Sequence, residues 1–356
     1  MPGPWADYLW FAIAAWLSDR FLRLARIINC NFRIRFSRSF ISLSLAKATY
    51  YKQANVIKID IEVPSARFTP AAGQHYFLYQ PASLSGWESH PFTLASYRDS
   101  SVTQPGNCRA LRDDRNPINN AKSIGGSEPF AVHDKSLTFF VRPYDGWTRR
   151  LRDACNSSGD GTATPQLLLE GPYGQCRSLA KFDTILMIVG GTGVATAIPL
   201  ILEHTERAQH HRIQTTRMQL IWSDRNIDFL TQVCTDSLAS SLRLENFDAS
   251  LFCTSAQTAT LTDETADTPG LERPKMLRPY INSPASSANP LRIQYGRPAV
   301  SSIVSIAAKE ATESKTSCAV VTCGPGSMAD DVRAAVYKAM VVGDYNVELF
   351  EESFGW

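Results

Sequence analysis

The stretch TILMIVGGTGVATAIPLI, Thr184 to Ile201, admits few folds. An apolar run leads into a cluster of small residues, and a second apolar run follows with helical spacing, so the segment reads as strand, tight turn and helix. Gly190, Gly191 and Gly193 carry no Cβ, so the backbone can turn sharply there and an anion such as a phosphate can come close to it. A helix starting near Val194 would face that anion with its unpaired N–H groups. A glycine turn between strand and helix also serves packing alone, so its partners along the chain decide the reading.

At 356 residues the chain has room for two domains with sizeable cores, and its net charge of +2 gives no reason to expect nucleic acid as a partner. The charge is uneven. Between residues 18 and 38, Arg20, Arg23, Arg26, Arg33, Arg35 and Arg38 face the single acid Asp19. The eight cysteines, Cys30, Cys108, Cys155, Cys176, Cys234, Cys253, Cys318 and Cys323, are scattered without a CxxC pair. That spacing suggests neither a disulfide framework nor a zinc site, and it fits a reducing compartment.

From Tyr8 to Leu17 the run YLWFAIAAWL is apolar and rich in tryptophan, and the arginines follow it. Ten residues fall short of the roughly twenty that span a bilayer. A signal peptide carries its positive charges before the apolar core, which is the reverse of this order. Aromatic residues at an apolar margin followed by arginines instead have the pattern of a membrane exit into the cytosol, with a surface-lying amphipathic helix as the alternative.

Residues 41–180 carry short segments of strand character: Ser42 to Ala46, Val56 to Val63, Gln74 to Tyr79, Phe92 to Ser96, Leu137 to Arg142 and Leu167 to Glu170. Their spacing predicts a small antiparallel barrel, interrupted by an exposed loop over 97–135. Three constellations sit on it. His90-Pro91-Phe92-Thr93 opens a strand, with proline fixing the entry. Arg142 ends a strand, and Gly146-Trp147-Thr148 starts a helix through Arg149, Arg150 and Leu151, which places an arginine beside a helix start suited to a pyrophosphate. Glu170-Gly171-Pro172-Tyr173-Gly174 is a turn leading out of the barrel. Each also has a purely structural explanation, Trp147 as core and the glycines as turn residues.

Residues 181–356 alternate strand and helix in the pattern of a parallel α/β sheet: strands at Met218 to Trp222, Ala249 to Cys253, Ala319 to Cys323 and Asn346 to Phe350, and helices near Ile227 to Ser240 and Met328 to Met340. A Ser-, Thr- and Pro-rich loop covers 254–290. Cys323-Gly324-Pro325-Gly326 ends a strand and opens a helix, which puts a second glycine turn at the sheet edge where open α/β sheets bind ligands. Trp222-Ser223-Asp224-Arg225 ends another strand there. Arg225 suits a 2′-phosphate on a nucleotide ribose, whereas Asp224 beside it suits the unphosphorylated ribose, and the two pull in opposite directions.

With these residues in view, the chain resembles the flavin and pyridine-nucleotide portion of the ferric reductase (metalloreductase) family, which is related to NADPH oxidases and more distantly to ferredoxin–NADP reductases. The resemblance rests on HPFTLAS (His90 to Ser96), RPYDGWTRRL (Arg142 to Leu151), EGPYG (Glu170 to Gly174), GGTGVATAIPLI (Gly190 to Ile201), CGPGSMADDVR (Cys323 to Arg333) and FEESFGW (Phe350 to Trp356), in the family's order. AAGQHYFLY (Ala71 to Tyr79) and YGRP (Tyr295 to Pro298) add support. It implies a β-barrel FAD-binding domain over 41–180 and a parallel-sheet NADP-binding α/β domain over 181–356, a ferredoxin reductase-like pair. Residues 1–40 would be the remnant of a last transmembrane helix and its basic cytosolic exit, a membrane-associated helix at the N-terminus.

The resemblance also implies roles. His90, Pro91, Phe92 and Thr93 would hold the FAD isoalloxazine and ribityl chain, and Arg142, Gly146, Trp147 and Thr148 would surround its pyrophosphate. Gly190, Gly191, Thr192 and Gly193 would take the NADPH pyrophosphate, with Arg225 and Arg297 near the adenosine phosphate. Cys323, Gly324, Pro325 and Gly326 would lie by the nicotinamide, and Trp356 would cover the flavin and move aside for it. The implied reaction passes a hydride from NADPH to FAD and single electrons onward to haem and to ferric or cupric ion, at the plasma membrane with the catalytic domains facing the cytosol. The family's haem bundle, with paired histidines on apolar helices, has no counterpart here. His75, His90, His133, His204, His210 and His211 all lie beyond the apolar segment, so a truncated product is expected and haem would need a separate membrane partner. A superoxide-producing NADPH oxidase and a non-catalytic regulatory fragment are the alternatives.

Overall fold

The computed structural model describes residues 5–35, 40–63, 69–80, 88–99, 135–175, 178–210, 214–255, 292–343 and 346–352, which form two compact units. The first holds residues 5–49, 58–139 and 144–176 within those bounds, and the second holds 50–57, 140–143 and 177–352. Most of the expected loops over 97–135 and 254–290, and Trp356 with the three residues before it, lie outside the described residues.

The first unit begins with helix α1 (Trp5–Asn31), followed by β1 (Phe32–Arg35), β2 (Phe40–Leu43), β3 (Leu45–Tyr51), β4 (Val56–Val63), β5 (His75–Gln80), β6 (Glu88–Thr93), β7 (Ser96–Asp99), β8 (Lys135–Val141), α2 (Gly146–Ser157), β9 (Thr162–Ala163) and β10 (Leu168–Tyr173). Where a barrel is expected, the strands form a three-stranded sheet in the order β10-β5-β6 and a five-stranded sheet in the order β7-β8-β4-β3-β9, with β1 and β2 as a separate hairpin. Strand β4 shows why the sequence folds this way. Val56, Ile57, Ile59, Ile61 and Val63 are fully buried while Lys58, Asp60 and Glu62 alternate with them on the wetter face. Strand β6 runs straight through Pro91, which is tolerated because β6 is an edge and a missing N–H there removes no ladder bond.

Helix α1 is exposed from Tyr8 to Leu22, where Tyr8, Leu9, Trp10, Phe11, Trp16, Leu17, Phe21 and Leu22 face outward. Only its last turn is buried, through Ile27, Cys30 and Asn31. Among the described residues no helix is long and apolar enough to cross a membrane.

The second unit continues with β11 (Thr184–Gly190), α3 (Val194–Gln209), β12 (Arg217–Asp224), α4 (Ile227–Asp236), β13 (Phe247–Cys253), β14 (Arg292–Tyr295), α5 (Val300–Ser314), β15 (Cys318–Cys323), α6 (Gly326–Val342) and β16 (Val347–Glu352). All six strands are parallel, in the order β14-β13-β12-β11-β15-β16. Central β11 is buried from Ile185 to Gly190 without alternation, as a parallel strand covered on both faces must be. Leu186, Ile188, Val320, Val304 and Val336 build one side of that core. The chain moves outward from β11 to β14 and then returns to lay β15 on the other side of β11. That reversal opens a crevice at the C-terminal ends of β11 and β15.

Candidate functional site in two glycine turns and an edge strand

Both glycine turns read from the sequence lie at this switch point. A Cβ on Gly193 would sit 2.4 Å from the Cys323 carbonyl oxygen, one on Gly190 would sit 2.7 Å from Pro325 Cδ, and one on Gly324 would sit 3.0 Å from the Gly190 nitrogen. The absence of side chains therefore lets the ends of β11 and β15 close on one another. Gly191 has φ +59°, in the left-handed region, and its carbonyl accepts a hydrogen bond of 3.0 Å from Trp222 Nε1, which fixes the turn on the buried indole. A short 3-10 turn, Gly191–Gly193, leads into α3.

The helix starts bear on what this edge can hold. The residues before α3 and α6, Gly193 and Pro325, make no side-chain cap; the Gly191 and Thr192 carbonyls of the 3-10 turn accept from the Val194 N–H and the Pro325 carbonyl accepts from the Met328 N–H, so backbone serves in place of a cap at part of each start. By contrast α4 is capped by Asn226, whose Oδ1 accepts from the Phe229 N–H at 3.1 Å. Two starts without a side-chain cap beside glycine-lined backbone fit the pyrophosphate of a dinucleotide. Thr192 is half-buried in the first turn, while Pro325 and Gly326 are exposed at the second. Cys323 is buried at the end of β15, and burial pushes its thiol up to about 11, with the Glu352 carboxylate acting the same way, so it is a neutral thiol at physiological pH. Arg225 and Arg297 are both exposed, one just past β12 and the other between β14 and α5.

Asp224, the last residue of β12, is buried. Its Oδ1 accepts from the Asn226 N–H at 2.7 Å, and its Oδ2 pairs with the Arg142 guanidinium. Burial raises the Asp224 carboxyl above the usual carboxylate range, and Arg142 opposes that shift. Arg142, which the resemblance assigns to the flavin pyrophosphate, lies by Gly191 and Asp224. A Cβ on Gly191 would be 3.7 Å from both the guanidinium and the carboxylate.

In the first unit, His90, Pro91, Phe92 and Thr93 pair in register with Leu78, Phe77, Tyr76 and His75 of β5. His90 is exposed, and the other three are half-buried. Trp147, at the start of α2, is fully buried and stacks on His90 with ring centroids 6.3 Å apart, while Phe92 meets it edge-on at 5.8 Å. Strand β6 and the α2 start are therefore one packed cluster. The buried Trp147 Nε1 finds no acceptor among the described residues, a donor left open in an apolar wall, which fits a flavin with its carbonyls and ring nitrogens. Thr148 turns its hydroxyl into the local turn, donating to the Asp145 carbonyl at 3.0 Å and accepting from the Tyr144 N–H at 3.3 Å.

Sequence reasoning missed Glu88. Its Oε2 accepts from the Trp147 N–H at 3.0 Å and pairs with Arg150 at 3.1 Å, and a Cβ on Gly146, where φ is +63°, would come 3.1 Å from it. An anionic oxygen thus occupies the α2 start, where an anion is expected. Its distance of 59 residues from Trp147 left no local signal.

One unit with paired glycine turns at the switch point of a parallel sheet and another with an aromatic cluster on an antiparallel edge strand are the organisation of a flavin- and nicotinamide-nucleotide-binding oxidoreductase. Comparison with known families gives the same class and narrows it. Residues 182–337 match the model "Ferric reductase NAD binding domain", and residues 40–104 and 126–177 match the model "FAD-binding domain". The chain belongs to the ferric reductase family and carries its FAD- and NAD-binding portion. Among curated relatives, the ferric reductase transmembrane component 5 of Saccharomyces cerevisiae is 23% identical over 353 residues, covering 99% of this chain and 42% of the relative. The ferric/cupric reductase transmembrane component 2 of the same yeast is 24% identical over 363 residues, covering 98% of this chain and 43% of the relative. The chain thus spans less than half the length of these relatives. A solved ferredoxin NADP+ reductase from Neisseria gonorrhoeae aligns with TM-score 0.48 and 13% identity over 86% of this chain and 97% of that one.

Proposed function

We propose that this chain is the electron-input module of a ferric-chelate reductase, taking a hydride from NADPH and releasing single electrons toward ferric or cupric ion. The reading is carried by one observation: two glycine turns, each leading into a helix without a side-chain cap, close on one another at the switch point of a parallel sheet in a chain that also has the family's FAD-binding domain. Bound FAD supplies the conversion from two-electron to one-electron transfer. The chain's own residues bind and orient. Gly190, Gly191, Thr192 and Gly193 receive the nucleotide pyrophosphate, and Arg225 and Arg297 meet the adenosine phosphate. Cys323, as a neutral thiol, shapes the wall beside the nicotinamide together with Gly324, Pro325 and Gly326 rather than attacking it. His90 to Thr93 hold the flavin ring and its chain, and the α2 start at Gly146, Trp147 and Thr148 takes the flavin pyrophosphate. The family resemblance would give Trp356, which lies outside the described residues, the role of covering the ring until nicotinamide displaces it.

The module sits at a membrane with its nucleotide sites toward the cytosol. The exposed Trp10, Phe11 and Trp16 of α1 precede Arg20, Arg23 and Arg26, the order of an aromatic and basic membrane margin. A haem-bearing membrane partner is the acceptor between flavin and metal.

The test is the anaerobic visible spectrum of the FAD-loaded protein before and after NADPH. Flavin bands that bleach on NADPH addition are expected, and Trp356→Ala should let the weaker-binding NADH bleach them faster than in the parent protein. No flavin bands after FAD supply would make the chain a non-catalytic fragment, and oxygen consumption in place of ferric reduction would make it an oxidase. Glu88 gives a further prediction. Because its carboxylate holds the α2 start, Glu88→Ala should tighten FAD binding about tenfold, on the order of one charge-assisted hydrogen bond to that start. FAD titration by fluorescence quenching checks it, and weaker binding would mean that Glu88 organises the site instead of competing for it.

A further inference from the structure

The end of the second strand of a parallel nucleotide-binding sheet is the position at which an acid reads ribose hydroxyls and discourages a 2′-phosphate. Asp224 stands at that position, at the end of β12 next to central β11, and Arg225, one residue on, has the opposite preference. The structure resolves the conflict through a residue 82 positions upstream. Arg142 pairs with Asp224 Oδ2 while the Asn226 N–H takes Oδ1, so both carboxylate oxygens are occupied and the side chain has no exposed surface. Arg225 remains exposed. With Arg142 in place, two guanidinium charges outnumber one carboxylate at this edge. Without it, the charges cancel and the carboxylate oxygen is free to accept a ribose hydroxyl.

We infer that Arg142 is a specificity-positioning residue: by engaging Asp224 it removes the acid from ribose recognition and commits the edge to a nucleotide bearing a 2′-phosphate. The inference rests on the reading of this edge as the nucleotide site and adds the residue that decides which nucleotide it takes. It gives Arg142 a role at the nicotinamide-nucleotide edge of the second unit. It also explains how an Asp-Arg pair of contradictory meaning can serve one ligand.

The experiment compares calorimetric affinities for adenosine 2′,5′-bisphosphate and adenosine 5′-monophosphate on the FAD-loaded chain and four variants, so no turnover is required. R142M should lower the ratio of the two affinities about tenfold, on the order of one hydrogen bond to a charged group. Arg142→Lys, which keeps the charge, should retain most of it. D224A, which frees Arg142 and removes the acid, should raise the ratio several-fold. The R142M/D224A double variant should return to within about threefold of the parent, because Arg142 acts through Asp224 and the two changes do not add. A double variant that kept the full R142M loss would mean that Arg142 touches the phosphate itself, and the inference would fall. An unchanged ratio in R142M with both nucleotides still bound would sink the inference and leave the site reading intact. If the parent bound neither nucleotide, the site reading would fail and take the inference with it.

Discussion

Gly193→Ala should lower the melting temperature of the second unit and abolish measurable nucleotide binding. A Cβ at this position meets the Cys323 carbonyl oxygen at 2.4 Å and its carbon at 2.9 Å, and both belong to backbone at the end of a fully buried strand. No rotamer can relieve such a contact. The two turns must separate, and overpacking of this kind typically costs about 1–3 kcal/mol, with the upper end expected here because backbone has to move. For a unit of this size that is roughly 6–10 °C in melting temperature. The separation also moves the turn proposed to receive the pyrophosphate away from the turn proposed to line the nicotinamide, so affinity should fall by more than stability alone accounts for. Gly326→Ala is the comparison. Its Cβ would meet nothing within 4 Å at the first residue of α6, and the fold should tolerate it, with stability unchanged or raised by a few tenths of a kcal/mol. Thermal melts with calorimetric titration of adenosine 2′,5′-bisphosphate test both. Gly193→Ala with parental melting and affinity would show that the β11 and β15 turns do not need their close approach.

What the sequence reveals and what it hides follow from how far a signal reaches along the chain. Val56 to Val63 alternates from Ile57 onward and forms a strand with those bounds, and the unbroken apolar run after Thr184 forms β11, with a helix beginning at Val194 as its spacing predicts. Helix α5 goes unread because its buried stripe is Val300, Val304, Ala308 and Ala311, in which alanine gives little contrast to the surrounding serines and alanines. The edge strand β14 is the four residues Arg-Ile-Gln-Tyr, too short and polar to show a period. In the site, the glycines are legible because only residues without a Cβ allow the close approach they make. The ion pairs are not: Arg142 with Asp224 and Glu88 with Arg150 join residues 82 and 62 positions apart. A charged residue in a turn reads the same whether it is committed to a partner or open to a ligand. Trp147 illustrates a double use that a motif cannot separate, since it is fully buried core and yet keeps one donor unmatched.

Asn31→Ala should destabilise the first unit by about 3 kcal/mol, the loss of several buried hydrogen bonds at roughly 1 kcal/mol each with unpaired groups left behind. Nothing in the local sequence marks this residue. Asn31 ends α1 with its side chain buried, and its amide completes an edge strand. Nδ2 donates to the Leu169 carbonyl at 2.7 Å, and Oδ1 accepts from the Leu169 N–H at 2.9 Å. The side chain thus offers the same donor and acceptor pair as a neighbouring strand, on the side of β10 that faces away from β5. Nδ2 also donates to Ile27, at 2.8 Å, and Oδ1 accepts from the Ser44 hydroxyl at 2.9 Å. Alanine leaves the Leu169 N–H and carbonyl unpaired in a place that water does not reach, since Leu169 has no exposed surface. The change should lower the melting temperature by roughly 6–12 °C and expose the Leu169 amide to hydrogen exchange. Ser44→Ala, which removes one bond of the set, should cost about 1 kcal/mol. The consequence reaches the flavin-binding strand, because β10 pairs with β5 and β5 pairs with β6, which carries His90 to Thr93. If α1 is held to β10 mainly through Asn31, the variant should bind FAD more weakly as well as melt earlier. Parental FAD affinity in a destabilised variant would show that the β10-β5-β6 sheet keeps its shape without the helix, and that Cys30 and Arg26, which donate to the Gly171 and Pro172 carbonyls, are enough to hold α1 in place.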